Sequence, residues 1–305
     1  MSIWGYVKLA KGKSLIGILK GIRNVSVHQM KKFFLYIEPV SKMGVTNNHE
    51  KKLIVSLTSF PPRINTVYYC IKSLLNQSYK PDAVILWLAK EQFPKGEGDL
   101  PDKLLSLKKH GLSIQWWSDI RSYKKIIPAL EMFPDADIVT SDDDVYYSRD
   151  WLKGLVSAHD KNPNNVCCYR AAKIIFEDTF RREHPAINIS YGKATYLHQQ
   201  TGVGGVYYPK GCFYHDVTDE KIFMNIAPTN DDLWLWFMNI LSGHRIEIEN
   251  NNSFELFYVG NSQEVSLTSV NDHGEMLYNS QLEELLKYYP AVKNVLREEQ
   301  QVICK

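Results

Sequence analysis

Three consecutive carboxylates, Asp142, Asp143 and Asp144, follow the short apolar run Ile138-Val139-Thr140. The run reads as a buried strand, and acids at its C-terminal end have no packing role there. In an open α/β sheet, ligands sit outside the carboxyl ends of the strands, which is where this tip falls. Hard oxygen donors suit Mg2+ or Mn2+, ions that one or two carboxylates hold while substrate phosphates complete the shell. An acidic triplet by itself equally describes a solvated turn or a helix start favoured by the dipole. The rest of the chain has to separate these readings.

A second acidic pair, Asp231-Asp232, follows Pro228-Thr229-Asn230 and precedes the apolar run from Leu233 to Leu241. Thr229 or Asn230 can cap a buried helix here, and acids in its first turn gain about 0.3–1 kcal/mol from the dipole. The same pair is a rigid mount for a general base. Gly202, Gly204 and Gly205 precede Val206-Tyr207-Tyr208, a pattern that serves close backbone approach to a ligand or a bulged strand. Asn271-Asp272-His273-Gly274 is a polar turn carrying a late histidine.

The elements that must position these groups alternate. Leu53 to Thr58 is a β-rich run stopped by Ser59-Phe60-Pro61-Pro62-Arg63. Val67, Ile71, Leu74 and Leu75 mark a helix that Asn65 can cap, and Ala83 to Leu88 is a continuous apolar strand of the kind buried in parallel sheets. Leu112 to Trp117 is a third strand, Tyr123 to Met132 is helical in pattern despite Pro128, and the acidic strand follows. Four strands alternating with helices predict a Rossmann-like α/β half with a mostly parallel central sheet flanked by helices. The polar stretch 179–200 is expected to be a mobile loop, and 281–302 terminal helices.

The 305 residues are 44% hydrophobic, enough for one large core, and 36 basic against 34 acidic side chains give no reason to expect nucleic acid as a partner. The five cysteines are scattered without a C-x-x-C pair, so neither a disulfide framework nor a zinc site is indicated. No apolar run reaches the roughly 20 residues that span a bilayer, and a cytoplasmic location is expected. Residues 1–50 stand apart. Eight Lys and Arg face only Glu38 and Glu50, interleaved with residues such as Phe33, Phe34 and Ile37. That mixture describes either a helical appendage or an interfacial helix lying peripherally on an anionic membrane through residues 1–40, and 41–52 reads as a polar linker.

The segments SLTSFPPR, SLLNQSYKP and DADIVTSDDD, taken in that order with the glycine-rich strand and the Asp-Asp helix start, resemble GT-A glycosyltransferases. The likeness is to the bacterial capsule and lipopolysaccharide type, related to inverting family 2. The resemblance spans about 52–280, leaving 1–51 as a basic helical extension and 281–305 as a tail. It implies a metal-dependent transfer from a nucleoside-diphosphate sugar, with UDP expected, to a hydroxyl of a cell-surface glycan or lipid-linked acceptor, using Mn2+ or Mg2+. It further implies that Thr58, Ser59, Arg63, Asp142, Asp143, Gly204 and Gly205 border the donor. Asp144, Asp142 and His273 would hold the metal, and Asp232 or Asp231 would be the base. Among the cations, Lys124, Lys125, Arg181 and Arg182 are candidates for the leaving diphosphate. Two alternatives remain. A nucleotidyltransferase would want a Gly-rich basic loop after the first strand, where Ser-Phe-Pro-Pro-Arg stands; a degenerate nucleotide- or glycan-binding module would lack a working base.

Overall fold

The computed structural model describes residues 15–176, 180–183, 192–249, 257–259 and 275–303. Two units separate, residues 1–40 and residues 41–305. The first contains helix α1 (Leu15–Ile37). Val27, Met30, Phe33, Phe34, Tyr36 and Ile37 are exposed on it. Among the described residues no helix is long and apolar enough to cross a membrane.

The second unit is built on a seven-stranded sheet in the order β11-β6-β10-β4-β1-β2-β3. Its strands are β1 (Leu53–Thr58), β2 (Ala83–Ala89), β3 (Leu112–Trp117), β4 (Asp137–Thr140), β6 (Val166–Cys168), β10 (Val206–Tyr208) and β11 (Ile246–Ile248). β4, β1, β2 and β3 are mutually parallel, as the unbroken apolar runs predict. Only β10 runs antiparallel to both neighbours, pairing Val206 with Thr140 of β4 and with Cys168 of β6. Helices α2 (Val67–Leu75), α3 (Asp102–Leu105), α4 (Ile127–Met132) and α5 (Trp151–Lys161) punctuate this half. The first of these starts at Thr66 rather than Asn65, and the Thr66 hydroxyl donates to the Arg63 carbonyl.

The helix expected over 123–132 is split. A 3-10 turn, Arg121–Lys125, comes first, and α4 follows with Pro128 in its first turn, where a missing N–H costs nothing. Arg121 itself has φ of 56°, a left-handed conformation that a side chain of its size seldom adopts.

The described parts of 179–200 differ from the expected loop. β8 (Phe180–Glu183) and β9 (His198–Gln200) flank β7 (Ala171–Phe176) in an antiparallel three-stranded sheet. The polar stretch expected as a linker is also anchored. The Ser41 N–H donates to Asn76 Oδ1 at 2.7 Å, Gly44 N–H to the His110 carbonyl at 2.7 Å and Thr46 N–H to the Pro81 carbonyl at 2.9 Å.

After α6 (Glu220–Ile226), α7 (Asp231–Leu241) is buried along almost its whole length. Trp234 donates its indole N–H to the Val217 carbonyl and Trp236 to that of Tyr196, both at 3.0 Å. Fully burying each large apolar side chain is worth about 1.5–3 kcal/mol, so this helix is a fixed platform rather than a mobile arm. α8 (Glu275–Tyr288) and α9 (Pro290–Ile303) join the same core through Leu282, Leu285, Val292 and Leu296. Arg245 and Glu299 lock α9 to the strand that begins at Ile246. Four cysteines, Cys70, Cys167, Cys168 and Cys212, are buried free thiols.

Candidate active site

β4 ends at Thr140, and the chain turns through Ser141 and the three acids into the short strand β5 (Val145–Tyr146). The turn is held from several sides. Asp142 N–H donates to Tyr147 Oη at 2.8 Å and Cys70 Sγ donates to the Asp142 carbonyl at 3.0 Å. β12 (Phe257–Tyr258) pairs with β5, and Val259 N–H donates to the Asp144 carbonyl at 2.8 Å. An acidic turn with this much backbone anchoring is not the freely solvated turn that its composition alone allows.

The three carboxylates point different ways. Asp143 accepts from Ser59 Oγ at 2.6 Å and from Arg63 Nη1 at 2.6 Å. Arg63 also reaches Asp144 Oδ2 at 3.2 Å. Ser59 and Arg63 thus clamp the acidic turn to the end of β1. Thr58 turns away, donating to the Trp87 carbonyl at 2.9 Å. Burial, reinforced by Asp142 and only partly offset by Arg63, pushes the Asp144 carboxyl up to about 7. Burial also raises Asp142, against the pull of Lys125, although 27% of its side chain stays open. At both carboxyls the cost of burial and of neighbouring like charge outweighs the pull of Arg63 and Lys125.

Across from it, the start of α7 supplies the second pair. Asn230 caps the helix, accepting from Leu233 N–H at 3.1 Å. Asp231 is buried and lies 2.7 Å from Lys125 Nζ. Asp232 keeps 27% of its side chain open. Its Oδ2 accepts from Gly202 N–H at 2.9 Å, and its Oδ1 has no hydrogen-bond partner. Burial, with a contribution from Asp231 and against Lys125, raises Asp232 to about 6. Lys125 Nζ stands 3.8 Å from both Asp142 Oδ1 and Asp232 Oδ1. Burial opposes its charge, but Asp231, Asp232 and Asp142 outweigh burial and lift its pKa well above the usual lysine value. One ammonium thus joins the strand-end acids to the helix-start acids.

Lys124, expected at the nucleotide, faces the other way and pairs with Asp119 at 2.5 Å. Arg181 and Arg182 lie on β8, and Arg182 stacks 4.6 Å over Tyr278. Gly204 and Gly205 have φ of 108° and 92°, and a Cβ on Gly205 would strike the Trp151 ring at 2.4 Å. The Trp151 indole N–H donates to the Gly204 carbonyl. Those two glycines make the turn and its packing, whereas Gly202 faces the acids. A Cβ there would lie 2.7 Å from Lys125 Nζ, 3.2 Å from Asp232 Oδ1 and 3.3 Å from Asp142 Oδ1. Trp117 packs edge-on against Trp87, and Tyr207 stacks on His159, so these aromatics serve the core.

Among the described residues, no group of three or more histidine, cysteine, aspartate or glutamate side chains is gathered as a ligand set. His273 lies outside the described residues. The donor chemistry at the tip still fits a hard divalent ion. Asp144 and Asp142 are carboxylates whose burial Arg63 and Lys125 only partly offset, and such an ion takes the remaining ligands from phosphates and water.

No protein-family model matches the sequence, and no curated protein matches it. Among solved structures, mannosyltransferase PcManGT from Pyrobaculum calidifontis, in complex with GDP-Man and Mn2+, superposes with a TM-score of 0.52 at 12% identity, over 90% of this chain and 75% of that one. The fold is GT-A-like. The mostly parallel central sheet flanked by helices is the architecture that the alternating strand pattern predicts, and the reversal of β10 within its seven strands is a feature the structure adds.

Proposed function

We propose that the chain is a metal-dependent glycosyltransferase that moves a sugar from a nucleoside-diphosphate donor to a hydroxyl of a glycan or lipid-linked acceptor. The observation that carries this reading is the convergence of the strand-end Asp142 and the helix-mounted Asp231 and Asp232 on Lys125, each within 4 Å of its ammonium, on a GT-A-like fold. Asp144 and Asp142 would hold Mn2+ or Mg2+, which supplies Lewis-acid neutralisation of the diphosphate. Ser59 and Arg63 keep the acidic turn in place beside the donor. Asp232 takes the proton of the acceptor hydroxyl as its oxygen bonds to the anomeric carbon. The bond from that carbon to the phosphate oxygen breaks, and its electron pair leaves with the nucleoside diphosphate. A single displacement of this kind inverts the anomeric centre.

In place of the Gly-rich loop of a nucleotidyltransferase, β1 is followed by a 3-10 turn, Pro61–Arg63, whose arginine is committed to the acids. For the base, UDP follows from the sequence resemblance, while the structural neighbour carries GDP-Man. Calorimetric titration with UDP and with GDP, each with and without Mn2+, decides between them. One nucleotide is expected to bind only with the metal present. Binding of neither would sink the proposal.

Helix α1 suits an acceptor that is membrane-borne. Its exposed Met30, Phe33, Phe34 and Ile37 recur at helical spacing, and its sequence carries Arg23, Lys31 and Lys32 without an acidic residue. The extension is proposed to rest on an anionic membrane surface at the cytoplasmic side, and the acceptor is proposed to be a glycan of the capsule or lipopolysaccharide kind.

A further inference from the structure

Two adjacent acids at the start of one helix leave the choice of base open, and the buried cation between them resolves it. We infer that Lys125 is a positioning residue that takes Asp231 as its counter-ion and so reserves Asp232 as the group that receives the acceptor proton. The inference rests on the glycosyl-transfer reading above and assigns roles within that site.

The two carboxyls differ in burial and in their distance from the ammonium. Asp231 is buried and sits 2.7 Å from Lys125 Nζ, so its charge is already partnered and its surface is closed to an acceptor. Asp232 has three times the accessible side chain, 27% against 9%. Gly202 N–H fixes its Oδ2, while its Oδ1 is itself buried and makes no hydrogen bond, so an acceptor would have to displace what covers it. Lys125 approaches that second oxygen only to 3.8 Å, too far to hold a proton's place but near enough to act through its field.

The approach of the ammonium is set by the backbone. Lys124 and Lys125 leave a 3-10 turn, where successive side chains diverge by about 120°. This sends Lys124 to Asp119 and Lys125 to the acids. Gly202 is the matching half of the device. Any side chain there would press on the ammonium at 2.7 Å while crowding Asp232 and Asp142. The contact at risk is the far end of a flexible lysine, so Gly202→Ala would move the charge without breaking the fold. In the step itself, the proton passes from the acceptor O–H to Asp232, the acceptor oxygen bonds to the anomeric carbon, and the diphosphate leaves with the bonding pair. Asp231 and Lys125 exchange no atoms.

The test uses full-length protein, UDP-glucose and GDP-mannose with Mn2+, and release of UDP or GDP with water as acceptor. Asp232→Asn is expected to lower kcat by about 10²- to 10⁴-fold with the donor KM held, the range ascribed to a lost general base. Asp231→Asn should cost no more than ~10-fold, since it removes only the counter-ion. Lys125→Met should lower kcat by at least ~10-fold, because Asp231 then faces Asp232 as an unscreened like charge. Adding Asp231→Asn to Lys125→Met should restore both kcat and the melting temperature, the two residues being one coupled pair. If Lys125→Met fails to fold, the double variant is compared with Asp231→Asn alone, and equal kcat is expected. The inference is overturned if Asp231→Asn inactivates as fully as Asp232→Asn, if Lys125→Met turns over like wild type, or if the second substitution restores nothing. A wild type that neither binds nucleotide with Mn2+ nor releases it overturns the glycosyl-transfer reading itself, and the inference with it.

Discussion

Strand β4 carries a buried acid at each end, and the two ends are opposites. At its start, Asp137 accepts from Tyr207 Oη at 2.7 Å and from Lys210 N–H at 2.7 Å, and Lys51 Nζ lies 2.5 Å away. At its far end, Asp142 and Asp144 are held through their backbone, while burial and mutual repulsion drive their carboxyls upward. Burial of an acid is common to both, so burial alone does not mark a site. What distinguishes them is compensation: Asp137 takes two hydrogen bonds and an ion pair from the protein, whereas at Asp142 and Asp144 burial and like charge outweigh the pull of Lys125 and Arg63.

The comparison can be broken most sharply at the base. Loss of about 10²- to 10⁴-fold in kcat from Asp232→Asn, with metal-dependent nucleotide binding intact by calorimetry, would separate chemistry from binding. Next comes the pair of acids on β4. Asp144→Ala should abolish metal-dependent nucleotide binding with little loss of melting temperature. Asp137→Asn should do the reverse, costing about 1–3 kcal/mol in denaturant unfolding with binding unchanged. Equal effects on binding from both would erase the distinction.

Titration sharpens the same contrast. Asp144 is raised from 3.8 to about 7, so the folded state binds more protons than the unfolded chain between those values. Its contribution to stability is therefore greatest below about 4 and falls as pH rises to about 7, a change of up to ~4 kcal/mol at 1.36 kcal/mol per unit. Melting of the metal-free protein should show that fall, and Asp144→Asn should flatten it. Metal-dependent nucleotide affinity should climb over the same window, since the ligand must be ionised. Turnover should rise through about 6 as Asp232 loses its proton. The smallest effect concerns α1: Lys31→Glu with Lys32→Glu should reduce sedimentation with vesicles containing an anionic lipid, by ~1 kcal/mol per charge removed, while leaving kcat untouched.

The sheet was legible in the sequence where apolar runs are continuous. β1, β2 and β4 are each buried for nearly their full length, so composition and fate coincide. The small sheet was not legible, because Phe-Arg-Arg-Glu and His-Gln-Gln are polar strands whose place depends on tertiary partners rather than on periodicity. At the site, the acids announced themselves by type and by their position after a strand or before a helix. The choice of Lys125 over Lys124 depended on the phase of a 3-10 turn that a helical pattern disguises. That Gly202, not Gly204 or Gly205, meets the carboxylates depended on a through-space approach that spacing does not encode.

β10 runs against its neighbours, and so it touches both ends of β4 at once. Tyr207 reaches the satisfied acid at the start, while the turn preceding Val206 delivers Gly202 to the acids at the finish. The strand is a ruler laid between two marks. A slip of one residue would send every side chain to the opposite face, withdrawing the phenol from Asp137 and the amide from Asp232 together. A one-residue insertion between Gly205 and Val206 is therefore a single error with two readings, one in the melting curve and one in the rate, and selection against either would preserve the register of both.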